Sequence, residues 1–152
     1  MQIAEIDFCT PNDLAAILTI EQSCFDDPWD ARAIEFDLGN QGSTVYLKAA
    51  LKDLVVGYAV ASRGEDICHL MNLAVLAEYR GMGIALQLML GVGEVAAEWE
   101  NRKMRLEVRS SNKDARAFYS QLGFTYNARL KAYYANGEDA LVLTVKLPLK
   151  VE

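Results

Sequence analysis

The feature that most constrains the fold is a glycine-containing turn between a predicted strand and a long predicted helix. Residues 67–75 are apolar enough to form a strand, and Arg80-Gly81-Met82-Gly83 precedes an apolar helix that is predicted to run to about residue 100. Met104–Arg109 then alternates apolar and charged residues, as a strand with one buried face does. A strand, a crossing helix and a second strand make the two strands parallel neighbours. The middle of the chain therefore predicts a βαβ unit.

The segments on either side of this unit predict antiparallel strands and shorter helices. Thr10-Pro11 has the residue types of a helix N-cap and first helical position, and Asn112 is a second N-cap candidate, with Gly123 ending its helix. We predict strands at 2–8, 44–51, 54–62, 124–130 and 140–147, and helices at 11–23, 30–38 and from Asn112 to about Leu122. The predicted fold class is mixed α/β (α+β), with a mixed sheet of about six to seven strands and helices on both faces. The length of 152 residues predicts a single domain over 1–152.

The charge balance of the chain argues against several classes of partner. It has 15 Lys and Arg against 21 Asp and Glu, a net charge of −6, whereas a surface for nucleic acid or an anionic membrane needs a concentrated basic face. Residues 1–7 carry acids where a signal peptide needs bases, and the apolar stretch 83–93 is shorter than the ~20 residues of a membrane span. We therefore expect a cytoplasmic protein with no nucleic-acid or membrane partner. The acidic balance suits a cationic substrate.

The cysteines and the single histidine limit the metal and nucleophile chemistry. Cys9, Cys24 and Cys68 are far apart in the sequence, no C-x-x-C spacing occurs, and His69 is the only histidine. A zinc site would lack ligands of the usual kinds, so we expect no metal and reduced thiols that behave as small core residues. Any Ser-His-Asp triad would depend on His69 alone, and we interpret that side chain as structural.

The glycine-containing turn has two interpretations. At the start of a helix, unpaired N–H groups and the positive end of the helix dipole attract anions, and small residues let a pyrophosphate approach the main chain. The turn is not a P-loop, because G-x-x-x-x-G-K-[ST] is absent, and it is not a dinucleotide fingerprint, because Leu86 stands where a third glycine would be needed. The other interpretation is a plain strand-to-helix turn.

The residues around this turn resemble the GCN5-related N-acetyltransferase (GNAT) superfamily. Arg80, Gly83 and Ala85 fit its acetyl-CoA signature, [RQ]-x-x-G-x-[GA], and 71–75 is similar to the strand that precedes it. Within the superfamily the chain is most similar to bacterial ribosomal-protein alanine N-acetyltransferases. That likeness rests on Leu106-Glu107-Val108-Arg109-Ser110-Ser111-Asn112, Ala117-Phe118-Tyr119, Leu122-Gly123-Phe124, Tyr133-Tyr134, Glu138-Asp139-Ala140 and Pro28-Trp29.

The resemblance implies the GNAT fold and acetyl transfer from acetyl-CoA, without a metal, to a primary amine. By this likeness Glu107 is the general base, acting directly or through a water, and Tyr119 is the general acid. The alternatives are a solvated strand carboxylate paired with Arg105 or Arg109 for Glu107, and an aromatic core or interface residue for Tyr119. The main chain of Leu73, Ala74 and Val75 would pair with pantetheine and supply an oxyanion donor. The implied pyrophosphate site is made by the N–H groups of Arg80, Gly81, Met82, Gly83, Ile84, Ala85 and Leu86, with Asn112 either touching pantetheine or capping its helix. We favour Phe118 over Tyr119 as a core residue.

The implied acceptor is a protein N-terminus, a ribosomal protein in the subfamily. Loops carrying Phe25, Trp29, Tyr133 and Tyr134 border the acceptor groove in the family, although ordinary aromatic packing explains each of them equally well. The chain departs from the superfamily pattern at Ala77 and Leu86, and from the subfamily pattern at Ala132 and Ala135. The last two lie in the expected acceptor region, so they affect the identity of the substrate more than the acetyl-transfer chemistry. A small-molecule amine acetyltransferase, a non-catalytic CoA-binding sensor and a purely structural turn stay as alternatives. The sequence predicts no particular oligomeric state.

Overall fold

A computed structural model describes residues 1–151 of the protein and shows a seven-stranded mixed sheet with four α-helices. The strands are β1 (Glu5–Phe8), β2 (Thr44–Leu51), β3 (Leu54–Ser62), β4 (Ile67–Val75), β5 (Lys103–Arg109), β6 (Thr125–Leu130) and β7 (Ala140–Lys146). The helices are α1 (Leu14–Cys24), α2 (Ala31–Gly39), α3 (Ile84–Glu98) and α4 (Lys113–Gln121), with short 3₁₀ turns at Pro11–Asp13 and Ala77–Tyr79. The sheet order is β1-β2-β3-β4-β5-β7-β6.

The predicted mixture of parallel and antiparallel pairing is confirmed. Strands β4 and β5 are parallel, whereas β1 pairs with β2, β2 with β3, β5 with β7 and β6 with β7 in antiparallel fashion. The two-residue turn between β2 and β3 places Lys52 at φ +57°, a conformation that glycine or asparagine adopts more readily. The crossing helix α3 explains the parallel pair, because a short turn can join only antiparallel neighbours.

The chain divides into two compact units, residues 1–62 with 70–92, and residues 63–69 with 93 onward. We call these the first and second units; β4 and α3 each contribute residues to both. The prediction of one domain over residues 1–152 stays a prediction. No helix in the described chain is long and apolar enough to cross a membrane.

Helices cover both faces of the sheet in the first unit, as predicted. Tyr46 of β2 is fully buried in a cluster with Ile17 of α1 and Ile34 of α2. The next residue, Leu47, points to the opposite face, as successive strand residues do. There it meets α3, where a Cβ placed on Gly91 would lie 3.1 Å from Leu47 Cδ1. Gly91 therefore permits the close approach of helix and sheet.

Two predicted N-caps are also confirmed. Thr10 Oγ1 accepts the N–H of Asn12 at 3.3 Å, and Asp13 accepts the Thr10 N–H at 2.8 Å, forming a capping box before α1. Asn112 Oδ1 accepts the Ala115 N–H at 3.1 Å and caps α4. These hydrogen bonds satisfy amide donors that the first turn of a helix leaves without partners.

Candidate active site

In the second unit, Glu107 lies at the centre of a cluster of polar side chains on one face of β5. Met104, Leu106 and Val108 are buried on the opposite face, as the alternating sequence predicts. The parallel register pairs His69 of β4 with Arg105 of β5, and Glu107 follows two residues later on the same face.

The carboxylate of Glu107 is bound through both of its oxygens. Glu107 Oε1 lies 2.7 Å from His69 Nε2, and Oε2 accepts a hydrogen bond from Arg105 Nη1 at 3.0 Å. Only 9% of the Glu107 side chain is exposed. Burial raises the pKa of the Glu107 carboxyl, but the hydrogen bond from His69, the positive charge that His69 carries when it is protonated, the charge of Arg105 and the nearby Tyr133 hydroxyl outweigh it, so the pKa lies below its ordinary value. The carboxylate is therefore ionised at neutral pH.

Tyr119 is a buried residue of α4. It is 8% exposed, and its ring packs edge-on against Phe118 at 5.3 Å and Phe124 at 5.5 Å between centroids. Burial, followed by the charge of Tyr134, raises the pKa of the Tyr119 phenol, so the hydroxyl keeps its proton at neutral pH. The expectation that Phe118 is the better core residue is wrong. Phe118 is only half-buried, whereas Tyr119 is buried and packs against Phe124, which lies just beyond the end of α4.

Tyr133 and Tyr134 lie in the loop between β6 and β7, in the same unit as Glu107. Their rings meet edge-on with centroids 5.1 Å apart, and the Arg109 guanidinium carbon lies 4.0 Å from the centroid of Tyr134. Arg109 also pairs with Glu138 at 3.2 Å. Tyr134 is thereby held in place and half-buried, while Tyr133 is 51% exposed and stays available for contact with another molecule.

In the first unit, the end of β4 is braced by side chains. The Val75 carbonyl accepts hydrogen bonds from Arg80 Nε at 2.9 Å and Cys24 Sγ at 3.5 Å, and the Leu73 N–H donates to Asn72 Oδ1 at 3.0 Å. The Arg80 amide donates to the Ala77 carbonyl at 3.3 Å. The side chain of Arg80 thus fixes the strand end rather than extending away from it.

The glycine-containing turn presents free amide groups. Gly81 and Gly83 have φ values of +77° and +81°, which residues with a Cβ rarely adopt. Within the described chain, the N–H groups of residues 81–86 donate no hydrogen bond. The neighbouring carbonyls are engaged, because Met82 O accepts the Gln2 N–H at 2.9 Å and Gly83 O accepts from Gln87 Nε2 at 3.1 Å. An array of free donors at the start of a 15-residue helix is suited to an anion.

The comparisons with known proteins identify the family. The sequence profile described as the acetyltransferase (GNAT) family matches residues 14–124. The chain belongs to this family. It is 30% identical over 151 residues to the [ribosomal protein bS18]-alanine N-acetyltransferase of Salmonella typhimurium, covering 95% of this chain and 98% of that protein. It is 33% identical over 137 residues to an uncharacterised N-acetyltransferase of Methanocaldococcus jannaschii, covering 90% and 87% of the two chains.

A solved structure agrees with the fold of this GNAT enzyme. The crystal structure of the ribosomal-protein-S18-alanine N-acetyltransferase from Escherichia coli superposes with a TM-score of 0.86 at 25% identity, over 99% of this chain and 97% of that one. The predicted GNAT fold is confirmed, and the protein is an acetyl-CoA-dependent N-acetyltransferase. Among residues 1–151, no group of three or more His, Cys, Asp and Glu side chains is arranged to hold a metal ion.

One buried polar cluster of the GNAT protein was not found from the sequence. Glu21 of α1 is 1% exposed and accepts hydrogen bonds from the Tyr58 hydroxyl, from Asn72 Nδ2 and, at 2.8 Å, from the Trp29 N–H. Its apolar neighbours in α1 give no sign that a carboxyl group faces the core. Trp29 is half-buried against this core, while Phe25 is 36% exposed, so the two predicted acceptor residues of the first unit differ in their environment.

Proposed function

We propose that the protein transfers the acetyl group of acetyl-CoA to the N-terminal α-amine of a protein, with a ribosomal protein of the S18-alanine type as the favoured acceptor. The observation that carries the proposal is the buried Glu107 carboxylate bound to His69 and Arg105, in a member of an acetyltransferase family. An α-amine has a pKa of about 7.7–8.0 against ~10.4 for lysine, so a modest base is enough to free its lone pair. A cytoplasmic location stays a prediction.

The cofactor is assigned to the first unit. The free N–H groups of residues 81–86 support a pyrophosphate site, because they and the helix dipole favour negative charge without basic side chains. The main chain of Leu73, Ala74 and Val75 is proposed to pair with pantetheine, as a peptide adds to a strand edge, and to donate one N–H to the oxyanion. Arg80 would contribute by bracing Val75, and Asn112 by capping α4.

The acid–base chemistry is assigned to the second unit. The α-ammonium group loses one proton to the Glu107 centre, which is Glu107, the general base expected from the resemblance, with its partners His69 and Arg105. The neutral nitrogen then attacks the thioester carbonyl carbon to form the C–N bond. When the C–S bond breaks, the CoA thiolate takes a proton from the Tyr119 hydroxyl, and the nitrogen's second proton restores the phenol. Burial raises the pKa of that phenol, so we expect its proton to move together with C–S cleavage rather than before it.

Acceptor binding is proposed at Tyr133 and Tyr134 of the second unit; for the first unit, Phe25 and Trp29 stay separate predictions. Tyr133 is the best supported of the four, because its exposed ring carries a hydroxyl close to Glu107. The net charge of −6 favours a cationic N-terminus over an acidic one.

The proposal is tested by binding and turnover in one set of variants. At 100 times its Kd, acetyl-CoA should stabilise the protein by about 2.7 kcal/mol. Gly83→Ala should weaken this effect, because φ +81° strains a Cβ that would also lie 3.0 Å from Met1 Cγ. Gly39→Ala, with open space around it, is the matched control.

Glu107→Gln and Tyr119→Phe should lower kcat about 10²- to 10⁴-fold while acetyl-CoA binding is kept. Turnover is measured by mass spectrometry on peptides that differ only in their first residue, with alanine expected to be preferred. Acetylation of polyamines or amino sugars in place of peptides would support a small-molecule enzyme. Binding without turnover on any amine would support a sensor.

A further inference from the structure

The sequence suggests only a structural role for His69, although its side chain contacts the Glu107 carboxylate. It is the only histidine of the chain, it lies on β4 opposite Arg105, and its side chain is 23% exposed. Its Nε2 lies 2.7 Å from Glu107 Oε1. Because an ionised carboxylate can only accept a hydrogen bond, Nε2 must carry the hydrogen, and the neutral ring then has its free lone pair on Nδ1.

The second ring nitrogen of His69 has no hydrogen-bond partner among the described residues. Within residues 1–151, His69 Nδ1 makes no hydrogen bond, and no buried side-chain nitrogen or oxygen there lacks a partner. Nδ1 is therefore not fully enclosed, and it belongs to a side chain that is 23% exposed. This is the arrangement in which a carboxylate fixes the tautomer and orientation of an imidazole that works through its other nitrogen.

Glu107 is less suited to receive the proton itself. The hydrogen bonds that its two oxygens accept from His69 and from Arg105 stabilise the ionised carboxylate, and the side chain is 9% exposed against 23% for His69. Arg105 and the Tyr133 hydroxyl face the same carboxylate and stabilise its charge. A carboxylate held in this way is well placed to stabilise an imidazolium beside it.

We infer that His69 is the proton acceptor of the reaction, through Nδ1, and that Glu107 is the positioning residue that orients the ring. The inference rests on the proposed function and, within the Glu107 centre, moves the general-base role from Glu107 to His69 Nδ1. The α-ammonium nitrogen gives one proton to Nδ1, directly or through one water, and the ring becomes an imidazolium paired with Glu107. That proton leaves to solvent after the acetyl group has been transferred, and the neutral imidazole is restored.

Two substitutions of His69 distinguish a role in proton transfer from a purely structural role. His69→Gln keeps a donor to Glu107 and fills most of the space, but cannot accept a proton near neutral pH. His69→Ala leaves a ring-sized space at a partly exposed position, where added imidazole can bind and be oriented by Glu107. We expect both variants to lose about 10²-fold or more in kcat on an N-terminal peptide, with acetyl-CoA binding within threefold of wild type.

Chemical rescue is the deciding measurement. Added imidazole should restore turnover to His69→Ala but not to His69→Gln or Glu107→Gln, and across substituted imidazoles the rescued rate should rise with basicity. Turnover of His69→Gln within about threefold of wild type, or a loss in His69→Ala that no imidazole restores, would overturn the inference and leave the proposed function standing. Absence of wild-type transfer to every peptide, despite acetyl-CoA binding, would instead remove the proposed function. Arg102→Gln, at an exposed ion pair with Asp66, is the control for surface charge.

Discussion

Glu21 is fully buried and the side chain of Glu107 is 9% exposed, and the surroundings of the two carboxyl groups assign them different roles. Glu107 is bound by the ionisable partners His69 and Arg105 and lies beside an exposed tyrosine, whereas Glu21 is bound by a phenol, an amide and a main-chain N–H deep in the first unit. A carboxyl group that joins α1, β3, β4 and the loop before α2 has the contacts of a structural anchor. Buried carboxyl groups are tolerated only when such donors surround them.

Replacing Glu21 should therefore damage stability. Glu21→Ala leaves Tyr58, Asn72 and the Trp29 N–H without their acceptor, and we expect the free energy of unfolding to fall by about 3 kcal/mol. Urea denaturation measures the loss. Glu35→Ala, on the exposed side of α2, should stay within about 0.5 kcal/mol of wild type. A Glu21→Ala variant as stable as the Glu35→Ala control would show that the cluster is not an anchor.

At the scale of elements, Gly91 and Gly93 of α3 leave different amounts of room for a side chain. A Cβ on Gly91 would lie 3.1 Å from Leu47 Cδ1 and 3.2 Å from Ile6 Cγ2, which is tighter than ordinary contact. A Cβ on Gly93 would lie 3.4 Å from Leu149 Cδ1, at van der Waals distance. The same helix thus needs its first glycine for packing and tolerates replacement of its second.

This difference makes a matched pair of variants. Gly93→Ala should raise the free energy of unfolding by about 0.5–1 kcal/mol, because alanine favours the helix more than glycine does. Gly91→Ala gains the same propensity but crowds the sheet, which costs about 1–3 kcal/mol. We expect Gly91→Ala to be less stable than Gly93→Ala by at least about 1 kcal/mol in thermal unfolding. Equal stabilisation by both would contradict the packing seen at Gly91.

At the scale of the whole molecule, two sets of groups titrate differently in the folded and unfolded states. Burial raises the pKa of the thiols, to about 12 for Cys9, where the charge of Asp13 adds to it, and about 11 for Cys68. For the Asp13 carboxyl, burial raises the pKa, but the Thr10 N–H and Lys48 outweigh it and the pKa is lowered. The carboxyl pKa of Glu107 is lowered too.

The sign of each shift fixes where stability is lost. A carboxyl with a lowered folded pKa holds fewer protons in the native state, so stability falls as pH drops below about 4, near the ordinary values of 3.8 and 4.5. A thiol with a raised folded pKa holds its proton longer in the native state, so stability falls as pH rises above about 9 and continues to fall towards 11–12. Stability should therefore be greatest between about pH 5 and 8.5.

Urea midpoints at pH 3, 7 and 10.5 test this profile. The urea midpoint should be lower at pH 3 and at pH 10.5 than at pH 7. Asp13→Asn should reduce the loss of stability between pH 7 and pH 3. A Cys9→Ala/Cys68→Ala double variant should lose less stability than wild type between pH 7 and 10.5, since the buried tyrosines continue to titrate but the thiols are gone. An alkaline loss of the same size in both proteins would show that the cysteines do not contribute to it.

Much of the fold was predictable because its signals are local. The caps Thr10 and Asn112, the alternation of β5 and the glycines before α3 specify their elements through contacts within a few residues. Several boundaries were predicted too broadly: β1 starts at Glu5 rather than residue 2, and Pro11–Asp13 is a 3₁₀ turn rather than the first turn of α1. These are chain ends and helix starts, where the local signal is weakest.

The sequence by itself determined the βαβ order and the glycine-containing turn before the long helix. Through family resemblance it also pointed to Glu107 as the candidate general base and Tyr119 as the candidate general acid. The tertiary structure decided which side chains those residues meet. His69 reaches Glu107 from 38 positions away only through the register of two parallel strands, and Glu21 meets Asn72 from 51 positions away only through packing of α1 on the sheet. Hydrogen-bond partners that distant leave no periodic pattern in a single sequence, because their spacing is fixed by strand pairing and helix packing rather than by neighbouring residues.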